Sequence, residues 1–125
     1  MTQNQFLRIL LLIEKSRKFS IQAIDFLEAD NNLDENTRKG FVQQMRGYSA
    51  GATTVISHYD DNTEYENQPD AEALAKEEEQ LVKVLEDEKG GYGDDYNSAI
   101  EDVIKIVRQV LRKTQHEKDE REKER

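Results

Sequence analysis

Residues 41–59, FVQQMRGYSAGATTVISHY, decide how this chain folds. Phe41, Met45, Tyr48, Ala52, Val55 and Tyr59 recur there at intervals of +4, +3, +4, +3 and +4. Those intervals follow the helical turn and place six apolar side chains on one stripe, so the stretch predicts a helix with a heptad-like seam. Gly40, Gly47 and Gly51 fall in or beside it, and each lowers helix propensity by ~1 kcal/mol relative to Ala. Packing must offset them, or the helix bends or breaks at these points.

A second seam has the same spacing. Tyr96, Ile100, Val103, Val107 and Val110 recur at +4, +3, +4 and +3, and Ile104 and Leu111 widen the stripe. The β-branched run at 103–107 would suit a strand, but the helical period continues on both sides of it, and strand alternation is convincing nowhere in the chain. The expected fold class is therefore all-α: a small helical bundle of four to five helices, with long helices near 34–59 and 95–113.

The rest of the chain is read outward from these seams. Thr2 and Gln5 fit a capping box opening a Leu-rich helix over 3–17. Apolar residues lie on nearly all its sides, which predicts burial in the bundle or in an oligomer. Ser20 is a second candidate N-cap, for a short helix ending near Ala29, and Asp30-Asn31-Asn32 is a turn cluster. An acidic loop is expected over 60–69, with the single proline at Pro69. A further helix is expected near 70–88, with Leu74, Leu81 and Leu85 on one stripe. Gly90-Gly91-Tyr92-Gly93 reads as a Gly-rich turn, with Gly90 as the left-handed residue after the helix and Asp94 or Asp95 capping the next. Residues 1–113 are expected to form a single helical domain, and 114–125 a charged tail, helical or disordered.

Composition narrows the chemistry. The 125 residues include 18 Lys and Arg against 27 Asp and Glu, a net charge of -9, and only 35% are hydrophobic, so core material is scarce. The absence of Cys excludes disulfides, cysteine zinc sites and a thiol nucleophile. The longest apolar run, at 6–13, is interrupted by Arg8 and falls short of the ~18 residues needed to span a bilayer. Its cations follow rather than precede it, the wrong order for a signal peptide. No membrane association and a cytoplasmic location are the expectations.

Catalytic and metal motifs are missing. A calcium loop starting at Asp60 would put Tyr65 where Gly is required and Ala71 where Glu is required. The two histidines, His58 and His116, form no metal-binding spacing, and neither a Gly-x-Ser-x-Gly elbow nor a phosphate loop occurs. The expectation is a non-enzymatic protein without cofactor or metal.

Charge points to a region instead. Residues 60–100 hold 3 Lys and 14 Asp or Glu, net -11, whereas 1–59 and 101–125 are each net +1. Such a surface repels nucleic-acid backbones and suits a basic protein partner. The expected function is thus a small regulator, adaptor or inhibitor that engages a basic partner through an acidic surface in 60–95. It could do so by mimicking nucleic acid, without binding nucleic acid directly. The candidate contact residues are Asp60, Asp61, Glu64, Tyr65, Glu66, Glu77, Glu78 and Tyr92, the tyrosines because Tyr is favoured at interface hot spots. The alternative is a small-molecule or nucleotide binding or sequestering protein. It would use the small-residue strip around Gly47 and Gly51, with Arg46, Tyr48 and Thr54 as further contacts. Close helix packing explains the same strip without a ligand. A thin core, two seams and an over-apolar first helix also predict a homo-oligomer, most simply a dimer, paired through 41–59 or 96–111.

Overall fold

The computed structural model describes residues 1–59 and 70–123, with the side chains of the last helix described as far as Arg112. Four helices make up this part of the chain: α1 (Gln3–Ala29), α2 (Glu35–His58), α3 (Ala71–Asp87) and α4 (Asp94–Lys123). The described residues contain no strand, and the chain is a small all-α bundle.

Local chemistry sets most of the helix ends. Gln5 N donates to Thr2 Oγ1 at 3.1 Å and Thr2 N donates to Gln5 Oε1 at 2.7 Å, which completes the expected capping box. Asp34 and Asp70 cap α2 and α3 by accepting from Thr37 N and Ala73 N, each at 2.7 Å. Gly93, at φ 109°, is the residue that turns the chain into α4, a conformation that disfavours any side chain. The expected left-handed residue was Gly90; the positive φ lies at Gly93. Asp94 and Asp95 accordingly fall inside the first turn of α4, where they complement its dipole rather than cap it.

The two helices expected over 3–17 and 20–29 are one continuous helix. Neither Gly nor Pro interrupts residues 15–23, and the candidate cap Ser20 is 2% exposed within α1. Its hydroxyl donates to Gln44 Oε1 at 3.3 Å, so it joins α1 to α2 rather than starting a helix.

Contacts along the chain define the topology. Ser20 meets Gln44, Arg38 meets Glu28 and the Phe6 ring meets Tyr59, so α1 and α2 run antiparallel. Gly40 lies beside Asp95, Gly47 beside Tyr96 and Ala99, and Gly51 beside Val103, so α2 and α4 run parallel. Arg112 pairs with Glu78 and Lys89 with Glu101, which sets α3 antiparallel to α4. The result is an up-down-up-down bundle. α2 and α4 form its diagonal, each packing on both remaining helices, while α1 and α3 occupy opposite corners and do not pack on each other.

The interior is centred on α4. Tyr96, Ala99, Ile100, Val103, Ile104, Val107, Val110 and Leu111 are all buried, so the second seam faces inward along its whole length. On α2 the buried stripe comprises Gly47, Tyr48, Gly51, Thr54 and Val55. Phe41, Met45, Ala52 and Tyr59 of the first seam are only half-buried. The glycines have drawn the most buried line toward themselves. A Cβ on Gly47 would stand 2.6 Å from Ala99 Cβ and 2.7 Å from the Tyr96 carbonyl oxygen, and one on Gly51 would stand 2.6 Å from Val103 Cγ2. The α4 seam is thus used inside the chain, whereas the α2 seam is buried only at Tyr48 and Val55.

Alanine at position 47 would gain helix propensity yet collide with backbone that cannot move aside. Gly47→Ala is therefore expected to lower stability by about 1–3 kcal/mol, read from the urea midpoint, despite its gain of ~1 kcal/mol in propensity. Gly91→Ala, with nothing within 4 Å of the new carbon, is expected to leave the midpoint unchanged.

Candidate partner-binding surface

The topology brings two separate acidic turns to the same end of the bundle. The α1–α2 turn carries Asp30 and Asp34, and the α3–α4 turn is flanked by Asp87, Glu88, Asp94 and Asp95. Their proximity is direct at one point: Asp95 Oδ2 lies 3.1 Å from where a Cβ on Gly40 would be. A shallow, open cleft of about 340 Å³ lies there between the start of α2 and Asp95 of α4, lined by Asn36, Thr37, Gly40, Phe41, Gln44 and Asp95. It joins a carboxylate, two side-chain amides and a half-buried aromatic ring. Such a lining suits the head and stem of a basic side chain.

The charge of this end is poorly compensated. Its cations are already paired: Arg38 with Glu28 at 2.9 Å, Lys39 with Glu35 at 3.5 Å, and Lys89 with Glu86 at 2.8 Å and also with Glu101. Among the described residues no cation pairs with Asp87, Glu88, Asp94 or Asp95. α1 and α3 both end here, and neither has a basic residue in its last turn. Two helices end here and two begin, so their dipoles offset one another and the negative charge of this end is that of its carboxylates. Asp34 is held below the usual carboxylate range, first by the backbone hydrogen bond from Thr37.

Tyr92 projects from the same turn. It is 65% exposed, and its ring lies 4.7 Å from that of buried Tyr96 at an angle of 37°. Gly90 N donates to Asn97 Oδ1 at 3.2 Å, which ties the glycine turn to α4 and fixes the base from which Tyr92 extends.

Of the contact residues expected from sequence, Glu77, Glu78 and Tyr92 are among the described residues. Asp60, Asp61, Glu64, Tyr65 and Glu66 lie outside the described residues. The flanking residues Tyr59 and Asp70 are at the end opposite Tyr92, separated from it by the ~25 Å length of α3. Glu77 and Glu78 are engaged within the chain. Glu77 accepts from the Tyr59 hydroxyl at 2.6 Å and from the Met1 nitrogen, and Glu78 accepts from Arg112 Nε at 2.8 Å. These two carboxylates hold α3 to the ends of α1, α2 and α4. Tyr92 alone stands on the surface as expected. Asp30, Asp34 and Asp95 were not singled out, because only the closing of the bundle brings the 30–34 turn to the 88–95 turn.

The five residues of the ligand alternative enclose no cavity. Gly47 and Gly51 are covered by α4, the Thr54 hydroxyl donates to the Ala50 carbonyl at 2.9 Å, and Arg46 is exposed. The Tyr48 hydroxyl donates to Asp102 Oδ2 at 2.6 Å. Tyr48 does border a shallow groove of about 420 Å³ between α1 and α4, also lined by Leu12, Lys15, Ser16, Phe19, Ile106 and Gln109. Among the described residues no group of three or more His, Asp or Glu could hold a metal ion, and no helix is long and apolar enough to cross a membrane. No family model, curated protein or solved structure matches the chain.

Tyr48 and Tyr96 have phenol pKa values raised above the ordinary 10.0. Burial is the first cause for both, followed by Asp102 for Tyr48 and by Glu88 for Tyr96. A raised pKa means that the folded state favours the neutral phenol. That stabilisation is complete below pH ~10 and is lost as pH rises above it. In a 295 nm titration these two tyrosines should ionise above the ordinary phenol range, and Tyr48→Phe should remove one tyrosine from that late phase. The same variant should cost about 1 kcal/mol at neutral pH.

Proposed function

We propose that this protein is a non-enzymatic interaction module that engages a basic protein partner through the acidic end of its bundle. The observation that carries the reading is the cleft at Asp95. It is lined by the first turns of α2 and by Asp95 of α4, and exposed Tyr92 stands three residues before Asp95 on the α3–α4 turn. A lysine or arginine of the partner would enter the cleft, its charge meeting Asp95 and its stem lying on Phe41. Tyr92 would add apolar contact beside it. Asp87, Glu88 and Asp94 would supply the longer-range attraction that speeds encounter. A regulator or inhibitor of this kind can occupy a site that otherwise receives the phosphates of DNA or RNA, since both present closely spaced negative charge. A cytoplasmic setting belongs to the same proposal and rests on the cysteine-free composition.

The test compares wild type with the neutralised variant Asp87→Asn/Glu88→Gln/Asp95→Asn as immobilised baits in host lysate. Wild type should retain a basic protein at ~0.1 M salt and release it by ~1 M, because exposed charges separated by more than the Debye length are screened. The neutralised bait should retain at least tenfold less. Equal retention by both baits, or retention unaffected by salt, would refute the proposal. Circular dichroism of the variant guards against misfolding, since all three positions are exposed.

A further inference from the structure

We infer that α1 is a self-association face, on which a second copy of this chain lays its own α1 antiparallel about a two-fold axis near residues 15–18. Seven large apolar side chains are exposed among the described residues, and four of them belong to α1: Leu7 at 53%, Leu11 at 66%, Phe19 at 71% and Phe26 at 69%. At 100° per residue they fall within an arc of about 120° and form one strip along a helix of ~40 Å. The groove between α1 and α4 runs beside this strip, shares Phe19 with it, and adds Leu12 and Ile106. Four large apolar side chains exposed along one face of a helix, with Lys15 and Lys18 between the two pairs, are uncommon on a soluble monomer.

Three features select a second copy as the occupant. The order of the strip is nearly symmetric: two leucines occupy the first half of α1, two phenylalanines the second, and Lys15 and Lys18 lie between them. An antiparallel two-fold contact therefore brings Leu7 to within about one turn of the partner's Phe26 and Leu11 to within about one turn of the partner's Phe19, a smaller chain against a larger one each time. Lys15 and Lys18, near the axis, can lie along apolar surface with their ammonium groups in water.

The second feature is charge. α1 carries four cations and three carboxylates in a chain of net -9, while α3 carries two lysines against six carboxylates at the opposite corner of the bundle. Two such molecules repel least when their α1 corners meet and their α3 helices point apart. Arg8 of each copy then lies toward the second half of the partner's α1, which carries Asp25 and Glu28, while Lys15 and Lys18 near the axis keep their ammonium groups apart in water. An anionic bilayer would attract the same strip but repel the remainder of the molecule.

The third feature is size. A strip about 40 Å long and about 12 Å wide offers roughly 500 Å² per copy, so the pair approaches the ~1,000 Å² that a specific interface needs. The α4 seam is already buried inside the chain, and α1 carries most of the large apolar side chains that stay exposed among the described residues.

Analytical ultracentrifugation across the micromolar range should give twice the 14.6 kDa chain mass for wild type. Leu11→Glu/Phe19→Glu should sediment as a monomer with unchanged helical circular dichroism, because both positions are exposed. The chain has no cysteine, so single introduced thiols report proximity cleanly. Lys15→Cys, near the axis, should form a disulfide-linked dimer under mild oxidation at least tenfold faster than Gly91→Cys, and this comparison does not depend on the glutamate variant. Wild type remaining monomeric at every concentration, whether or not it adheres to phosphatidylserine vesicles, would overturn the inference. A dimer that survives both glutamates, or equal cross-linking at positions 15 and 91, would do the same.

Discussion

The close approach of α2 to α4 at Gly47 and Gly51 is the constraint on which the remaining packing depends. In a four-helix bundle the diagonal helices are ordinarily separated by layers of large side chains. Here the Cβ of Ala99 and the methyls of Val103 occupy the space where α2 has no side chain. The diagonal pair is therefore close, and a chain that is only 35% hydrophobic can still fill its interior. The same geometry displaces α1 and α3 to outer corners, where each packs on the diagonal pair with one face and turns the other outward. The exposed leucines and phenylalanines of α1 follow from that placement as much as from the composition of the helix.

Much of this was legible in the order of the residues. The α4 seam is apolar at every expected turn and is buried at every expected turn. The boundaries of α2 and α3 follow from Asp34 and Asp70, whose carboxylates accept the orphan amides of the first turn. Less legible was the face of α2 that would lie deepest. A hydrophobic pattern weights Phe41 and Met45 above glycine, yet close backbone packing rewards the residue with no side chain. Ser20 illustrates a similar ambiguity. A hydroxyl suits a helix start and also a polar bridge between helices, and only its neighbour Gln44 decides between them.

The acidic surface shows where linear reading fails. Net charge along the chain identified residues 60–100, a contiguous segment. In the described part of that segment, Glu77 and Glu78 hold helices together, while Asp87, Glu88, Asp94 and Asp95 flank the α3–α4 turn. Folding also brings in Asp30 and Asp34 from a region that is nearly neutral in sequence. A carboxylate on a helical protein belongs to whichever end its helix direction carries it to, so a charge count becomes a surface only after the up-down order is known.

That order has a further consequence for how the protein could be displayed or tethered. With an even number of alternating helices, Met1 and the later turns of α4 lie at one end of the bundle, and the cleft at Asp95 lies at the other. A support attached through the later turns of α4 would therefore sit on the side away from the acidic surface. It would hold the molecule from behind and leave Tyr92 and its surrounding carboxylates facing outward.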